Sequence, residues 1–326
     1  MSETEEHLSH WQERGETTPL RLLLHLTLFL LTFFTTTIAG VFWLNRDGFD
    51  LRNFTAGLPY SVSLLCMLAA HEFGHYFAAR LHGVRTTLPF FIPVPPFLMN
   101  PFGTMGAVIR IRSPIQSKKA LFDIGIAGPL AGLAVTLAII VFGFLTLPEK
   151  EYIYSIHPEY ALAGQVPETG LTFGHSLLTW VLANAFSGTA FVPPMNEIYH
   201  YPFLCVGWFG LFVTSLNLIP VGQLDGGHIL YAISGKKQGL VARAFLLILI
   251  LLGLSGFLPF LGVDVQPGTV GWLLWAAILI FVIKLDHPPI AYDEELDQRR
   301  RVLGWITFGI FIATFAPIPF FEISPH

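Results

Sequence analysis

The sequence predicts an all-α polytopic membrane protein, and three observations carry that prediction. Hydrophobic residues make up 53% of the 326 residues and charged ones only 12%, about half the charged share of a soluble domain. The apolar residues fall in long runs near the roughly 20 residues that a spanning helix needs. Nearly all Lys and Arg collect on one side when those runs are threaded alternately through a bilayer. The net charge of −4 offers nothing to a nucleic-acid backbone, so no nucleic-acid partner is expected. With only Cys66 and Cys205, neither a disulfide framework nor a CxxC metal site is expected.

The elements follow in order. Residues 1–19 open with MSETEEHLSHWQERGETT, a polar and mostly acidic stretch, unlike the basic start of a signal peptide. The apolar run behind it is therefore read as a retained first span, Leu20–Leu44. Further spans are expected at Leu58–Leu81, Leu121–Leu147, Phe203–Val221, Leu240–Leu261, Val270–Leu285 and Leu303–Phe320. Seven is the preferred count and six the alternative, because the sixth run is short and the fourth is broken by Pro220 and several glycines. Residues 20–285 then make one intramembrane domain, 286–302 a cytoplasmic linker, and 303–326 a final span with a short tail.

With a cytoplasmic N-terminus, fifteen Lys and Arg lie inside and only Arg46, Arg52 and Lys150 outside. The second span then runs inward and the third outward. Residues 82–120 are expected as a long cytoplasmic segment, its later part (GTMGAVIRIRS) forming a short membrane-associated strand or hairpin. Residues 148–202 make the one sizeable extracytoplasmic loop, with HSLLTWVLANAF as a surface helix.

The chemistry sits in the second span, which reads LAAHEFGHYFAARL. A charged or strongly polar group at membrane depth is costly and needs a partner. HExxH on a helix sets His71 and His75 one turn apart on one face, where both imidazoles reach one zinc ion, with Glu72 acting on the water that the metal activates. The competing reading leaves all three as groups satisfied by neighbouring helices. A catalytic zinc wants a third protein ligand and an open position. His75 and His71 lie roughly 8 and 14 Å inward from Arg80 at helical rise. Asp225, in NLIPVGQLDGGHIL, lies at the same depth near the inner end of the fourth span, before Lys236 and Lys237. It is either the third ligand or a helix C-cap or turn before Gly226 and Gly227, or both.

Asn217 either aims its amide at a reacting carbonyl or bonds another span, and Pro220 kinks the chain between them. His228 reads as structural, His25 has no evident partner, and Asp123 pairs with Lys118 or Lys119. Gly125, Gly128 and Gly132 in DIGIAGPLAGLAV allow a helix to approach closely.

HEFGH, then GTMGAVIRIRSP and LFDIGIAGPLAG, then LNLIPVGQLDGGH, in that order over most of residues 57–235, resemble the site-2 protease family of intramembrane zinc metalloproteases. The likeness is to bacterial and chloroplast-type members without a PDZ domain; the tail motifs DHPP and RRRVLGW fit it too. The resemblance implies one Zn2+ per chain on His71, His75 and Asp225, with Glu72 as general acid/base. It implies a membrane-anchored protein substrate cut in or beside the bilayer near the cytoplasmic face. It also implies that residues 102–112, with Gly103, Thr104 and Gly106, present a strand to the unwound substrate. The expected location is a bacterial inner membrane rather than a chloroplast membrane. Two alternatives are another membrane zincin cutting at the cytoplasmic face and a non-enzymatic transporter. The first would want a glutamate ligand downstream, for which only EELDQRR is comparable. The second would show inverted repeats, which the sequence lacks. Substrate identity and oligomeric state leave no mark on the sequence.

Overall fold

The structure, a computed structural model, describes residues 18–96, 101–188, 191–263, 267–292 and 294–323. The expected N-terminal tail of residues 1–19 falls almost wholly outside the described residues. Helix α1 (Pro19–Trp43) starts at a Thr18 cap with proline in its first turn. Helix α2 (Leu58–Leu81) carries HEFGH and ends beside Arg80. Strands β1 (Phe90–Pro93) and β2 (Thr104–Val108) pair antiparallel, Phe90 opposite Val108. Helix α3 (Lys118–Leu145), capped by Ser117, shares its most extensive contact with α2.

Short helices α4 (Glu151–Ile156) and α5 (Pro158–Ala163) follow, then β3 (Gly170–Phe173) and α6 (Leu177–Phe186). Helix α6 is the surface helix that HSLLTWVLANAF predicts, started by a reciprocal Ser176–Thr179 capping box. The rest of the bundle is α7 (Pro202–Asn217), α8 (Asp225–Ser234), α9 (Gln238–Ser255), α10 (Gly271–Ile278, continued as a π turn over Leu279–Ile283) and α11 (Gln298–Thr314). Strand β4 (Phe320–Ile323) closes the described chain by pairing antiparallel with β3.

The protein is mostly helical, and four stretches are long and apolar enough to cross a membrane: Pro19–Trp43, Leu51–Leu81, Lys118–Leu145 and Asp225–Ser255. Pro202–Asn217 and Gly271–Ile283 are apolar but shorter. Leu22, Leu23, Leu26 and Leu30 of α1 and Leu247, Leu251 and Leu254 of α9 face outward, a pattern that suits lipid rather than water. The strands qualify the all-α expectation. Two two-stranded sheets supplement the helices among the described residues.

Residues 82–120 include the expected hairpin, and it packs on the bundle. The chain leaves α2 at its basic end, yet the Phe102 ring packs against Trp43, Phe209 and Phe320 at the opposite end of the bundle. The hairpin therefore runs along the length of α1 instead of lying outside it. Irregular backbone beside apolar helices needs partners from the protein, and several described residues have them. The β1–β2 ladder takes part of it, Thr35 Oγ1 donates to the Gly103 carbonyl at 2.7 Å, and Tyr60 Oη donates to the Phe102 carbonyl at 3.2 Å. His25 gains its partner in this way. Its Nδ1 lies 3.0 Å from the Pro89 carbonyl and its ring packs on Phe90.

At the basic end, Asp123 does not pair with Lys118 or Lys119. It accepts from Arg300 of α11 at 2.8 and 2.6 Å and lies 2.8 Å from His82 Nε2. That three-way contact ties the ends of α2, α3 and α11 together.

Candidate metal centre

Helix α2 presents His71 and His75 from successive turns on one face, both buried, at 6% and 7% exposure. Their Nε2 atoms stand 3.1 Å apart. Asp225 Oδ2 lies 3.4 Å from Nε2 of His71 and 3.3 Å from Nε2 of His75. Ligand atoms about 2.1 Å from a tetrahedral zinc stand about 3.4 Å from one another, so this triangle has the dimensions of one face of such a site. The Nδ1–H of His75 donates to the Ile124 carbonyl at 2.7 Å, which leaves Nε2 as a bare lone pair turned inward. A carbonyl partner of this kind orients a metal-bound histidine. The residues present fit a zinc ion.

Asp225 reaches the triangle by a route that the sequence reading did not foresee. The fourth run does not continue through it. Helix α7 stops at Asn217, because Pro220 has no N–H to donate and disfavours helical backbone at Ile219. A turn over 218–224 follows, and Asp225 opens the new helix α8. It is therefore a first-turn residue and not a C-cap, and its carboxylate suits the positive end of the α8 dipole. The two glycines behind it allow this fold-back. A Cβ at Gly226 would collide with the Leu218 carbonyl, and one at Gly227 with the carbonyls of Val221 and Gly222.

The bed of the site is α3. Its glycines 125, 128 and 132 share one face and meet the two segments that carry the candidate ligands, Gly125 against α8 and Gly128 and Gly132 against α2. A Cβ on Gly125 would stand 3.0 Å from Cβ of His228, one on Gly128 would overlap the His75 ring, and one on Gly132 would stand 3.1 Å from Cβ of His71. The interlock is mutual, since a Cβ on Gly74 would lie 2.5 Å from the Ala127 carbonyl. Close approach was legible in DIGIAGPLAGLAV; that it seats the metal ligands was not.

Glu72 is buried at 7% exposure, and the chain at the end of β2, near Ile109, lies beside its carboxylate. The hairpin thus passes beside HEFGH. Thr104 starts β2 and donates its hydroxyl to the Ile92 carbonyl at 2.8 Å. Gly103 (φ 80°) and Gly106 (φ 93°) hold left-handed backbone, and the space beside Gly106 is open. In a two-stranded sheet β2 keeps one ladder edge free of β1.

Asn217 places its amide nitrogen 3.3 Å from Nε2 of His71. His228 turns to His287, with Nδ1 2.8 Å from Nε2 of that residue, whose own Nδ1 bonds the Pro288 carbonyl at 2.6 Å. His287 escaped the sequence reading, although DHPP at 286–289 lies in the segment that holds the 218–224 turn through the Leu285 carbonyl and the Gly222 N–H.

The fold and the site together define a helical protein with several candidate membrane spans and an HExxH–Asp cluster, sunk between its helices, that could hold a metal ion. The chain belongs to peptidase family M50, whose model matches residues 59–254 and so takes in both HEFGH and LDGG. It is 28% identical over 264 residues to the chloroplastic probable zinc metalloprotease EGY1 of Arabidopsis thaliana, covering 81% of this chain and 43% of that protein. The rice (Oryza sativa subsp. japonica) EGY1 is 30% identical over 81% of this chain and 41% of its own length. Arabidopsis EGY2, likewise a chloroplastic probable zinc metalloprotease, is 28% identical over 89% of this chain and 48% of its own. The chain spans less than half the length of these relatives. Zinc is the metal that this family and this donor set imply. The expected bacterial inner membrane finds no support in relatives named as chloroplastic.

Proposed function

We propose that this protein is an intramembrane zinc metalloprotease that hydrolyses peptide bonds of membrane-anchored proteins. The observation that carries the reading is the triangle of His71 Nε2, His75 Nε2 and Asp225 Oδ2, buried between helices with Glu72 and the edge of β2 beside it. His71, His75 and Asp225 would hold the metal, which would supply Lewis-acid chemistry towards water and a carbonyl.

The remaining steps belong to the chain's own residues. Glu72 takes the proton from the attacking water and returns it to the leaving amine, as a general base and then acid. Burial keeps its carboxylate out of bulk water. The amide of Asn217 is near enough to His71 to donate to the developing oxyanion. A substrate helix hides its carbonyls in its own hydrogen bonds and must unwind before attack. Residues 103–108 offer the freed backbone a strand edge, with Gly106 leaving room for a side chain of the substrate.

We place the N-terminus and the metal centre's near face on the basic side of the membrane, by the excess of Lys and Arg. Seven crossings are favoured over six by the β3–β4 pairing. That pairing joins the 148–202 segment to the chain after α11, so an even number of crossings must separate them, and α7, α8–α9, α10 and α11 make four. The test is cleavage of a single-span membrane protein by the full chain in detergent, with zinc measured in parallel. Wild type is expected to cut. Glu72→Gln is expected to keep its zinc and stop cutting; a variant that cuts as fast as wild type rejects the reading.

A further inference from the structure

A second cluster with metal-binding chemistry lies at the opposite end of the bundle. It comprises His157, in the link between α4 and α5, and Glu197 and His200, in the turn that leads into α7; one ligand atom from each lies within 4.8 Å of the others. Both imidazoles have their Nδ1 committed. That of His157 donates to Glu159 Oε1 at 2.9 Å, and that of His200 donates to the Trp43 carbonyl at 2.6 Å. Neither partner can donate back, so both Nε2 atoms carry lone pairs, and they face each other at 2.9 Å. Two lone pairs at that distance repel unless a cation lies between or beside them.

Glu197 adds the third donor. Its side chain is 1% exposed. Oε1 accepts from Tyr160 Oη at 2.9 Å and Asn196 Nδ2 at 3.1 Å, whereas buried Oε2 has no hydrogen-bond partner and stands 3.5 Å from His200 Nε2. A buried carboxylate oxygen without a partner is costly. Two inward lone pairs and one such oxygen are the donors that a cation would satisfy together.

We propose that His157, His200 and Glu197 form a second site for a divalent transition-metal ion, with zinc the best chemical match to an N2O donor set. The committed Nδ1 atoms and the Tyr160 and Asn196 bonds hold the ligands in orientation. The site is separate from the inner centre. Helix α7 runs from just after His200 to Asn217, which touches His71, and its 16 residues span about 24 Å. That separation excludes a shared two-metal mechanism, which needs ions about 4 Å apart. The role is a clip. One ion joins the α4–α5 link to the start of α7 and, through the His200–Trp43 bond, to the end of α1.

The inference stands apart from the protease reading, and its test needs no substrate. Full chain in detergent is equilibrated with buffered Zn2+, and bound metal per chain is measured by mass spectrometry. Wild type is expected to hold two equivalents and His71→Ala one. His157→Gln, at a partly exposed link position, is expected to lower either count by one. Thermal melting supplies the second readout. Zn2+ should raise the Tm of His71→Ala but not that of the His71→Ala/His157→Gln double variant. If His71→Ala holds no zinc, or if His157→Gln leaves both the count and the zinc-dependent Tm unchanged, the second site does not exist and the two histidines share a proton.

Discussion

Gly128 presents bare backbone to the imidazole of His75, and a Cβ there would overlap Nε2, the atom that completes the metal triangle. The helix that makes no direct claim on the metal therefore decides where a ligand points.

The first prediction follows from that relationship. Gly128→Ala must push the His75 ring or spread α2 from α3, at a cost of about 1–3 kcal/mol for overpacking. Zinc affinity is expected to fall by about 10–100-fold, as when an orienting partner is lost, while the helical content stays. Equilibrium dialysis with a zinc chelator reads this directly. Unaltered affinity would mean that α3 does not seat the site.

Asp225→Asn removes a charge from the triangle but keeps its shape. Zinc affinity is expected to drop below that of Glu72→Gln, which alters no ligand. Cleavage should fall with metal occupancy in the first variant, and by about 10²–10⁴-fold at full occupancy in the second. Measuring zinc and rate on the same samples separates the two roles.

The strand edge gives a third. Gly106→Val places a β-branched side chain at φ 93° in open space, where strain is about 1–2 kcal/mol, and occupies the room beside β2. The expected result is a raised KM for membrane-anchored substrates with zinc content unchanged. A rate that is the same for every substrate would remove the edge from substrate binding.

Topology is checked by labelling. Single cysteines at Leu171 and Glu322, which oppose each other in the β3–β4 pair, are introduced after Cys66 and Cys205 are replaced. Both should react with an impermeant reagent from the same side, and the pair should crosslink on oxidation. Labelling from opposite sides would favour six crossings.

Much of the site was legible because its chemistry is local. Four-residue spacing on a helix puts His71 and His75 on one face whatever surrounds them, and the apolar runs located α1, α2 and α3 to within a few residues. Depth and charge put Asp225 near the histidines, where the structure has it, but not at the start of a new helix. The break at Pro220 was expected as a kink near the end of a span, whereas helix α7 stops at Asn217 and the glycines pack a full turn from which α8 starts anew. The hairpin was recognised as strand but placed outside the bundle, since nothing in FFIPVPPF says that Thr35 and Tyr60 will satisfy its neighbours.

The sequence by itself determined that the chain is a membrane bundle with a two-histidine, one-glutamate helix face, because composition and helical period act over a few residues. Only the tertiary structure decided what meets that face. The glycine row of α3, the reversal that delivers Asp225, the hairpin edge beside Glu72 and the His157–Glu197–His200 cluster join residues far apart in the chain. Such contacts are selected by how helices pack in three dimensions, and no local pattern in the chain records them.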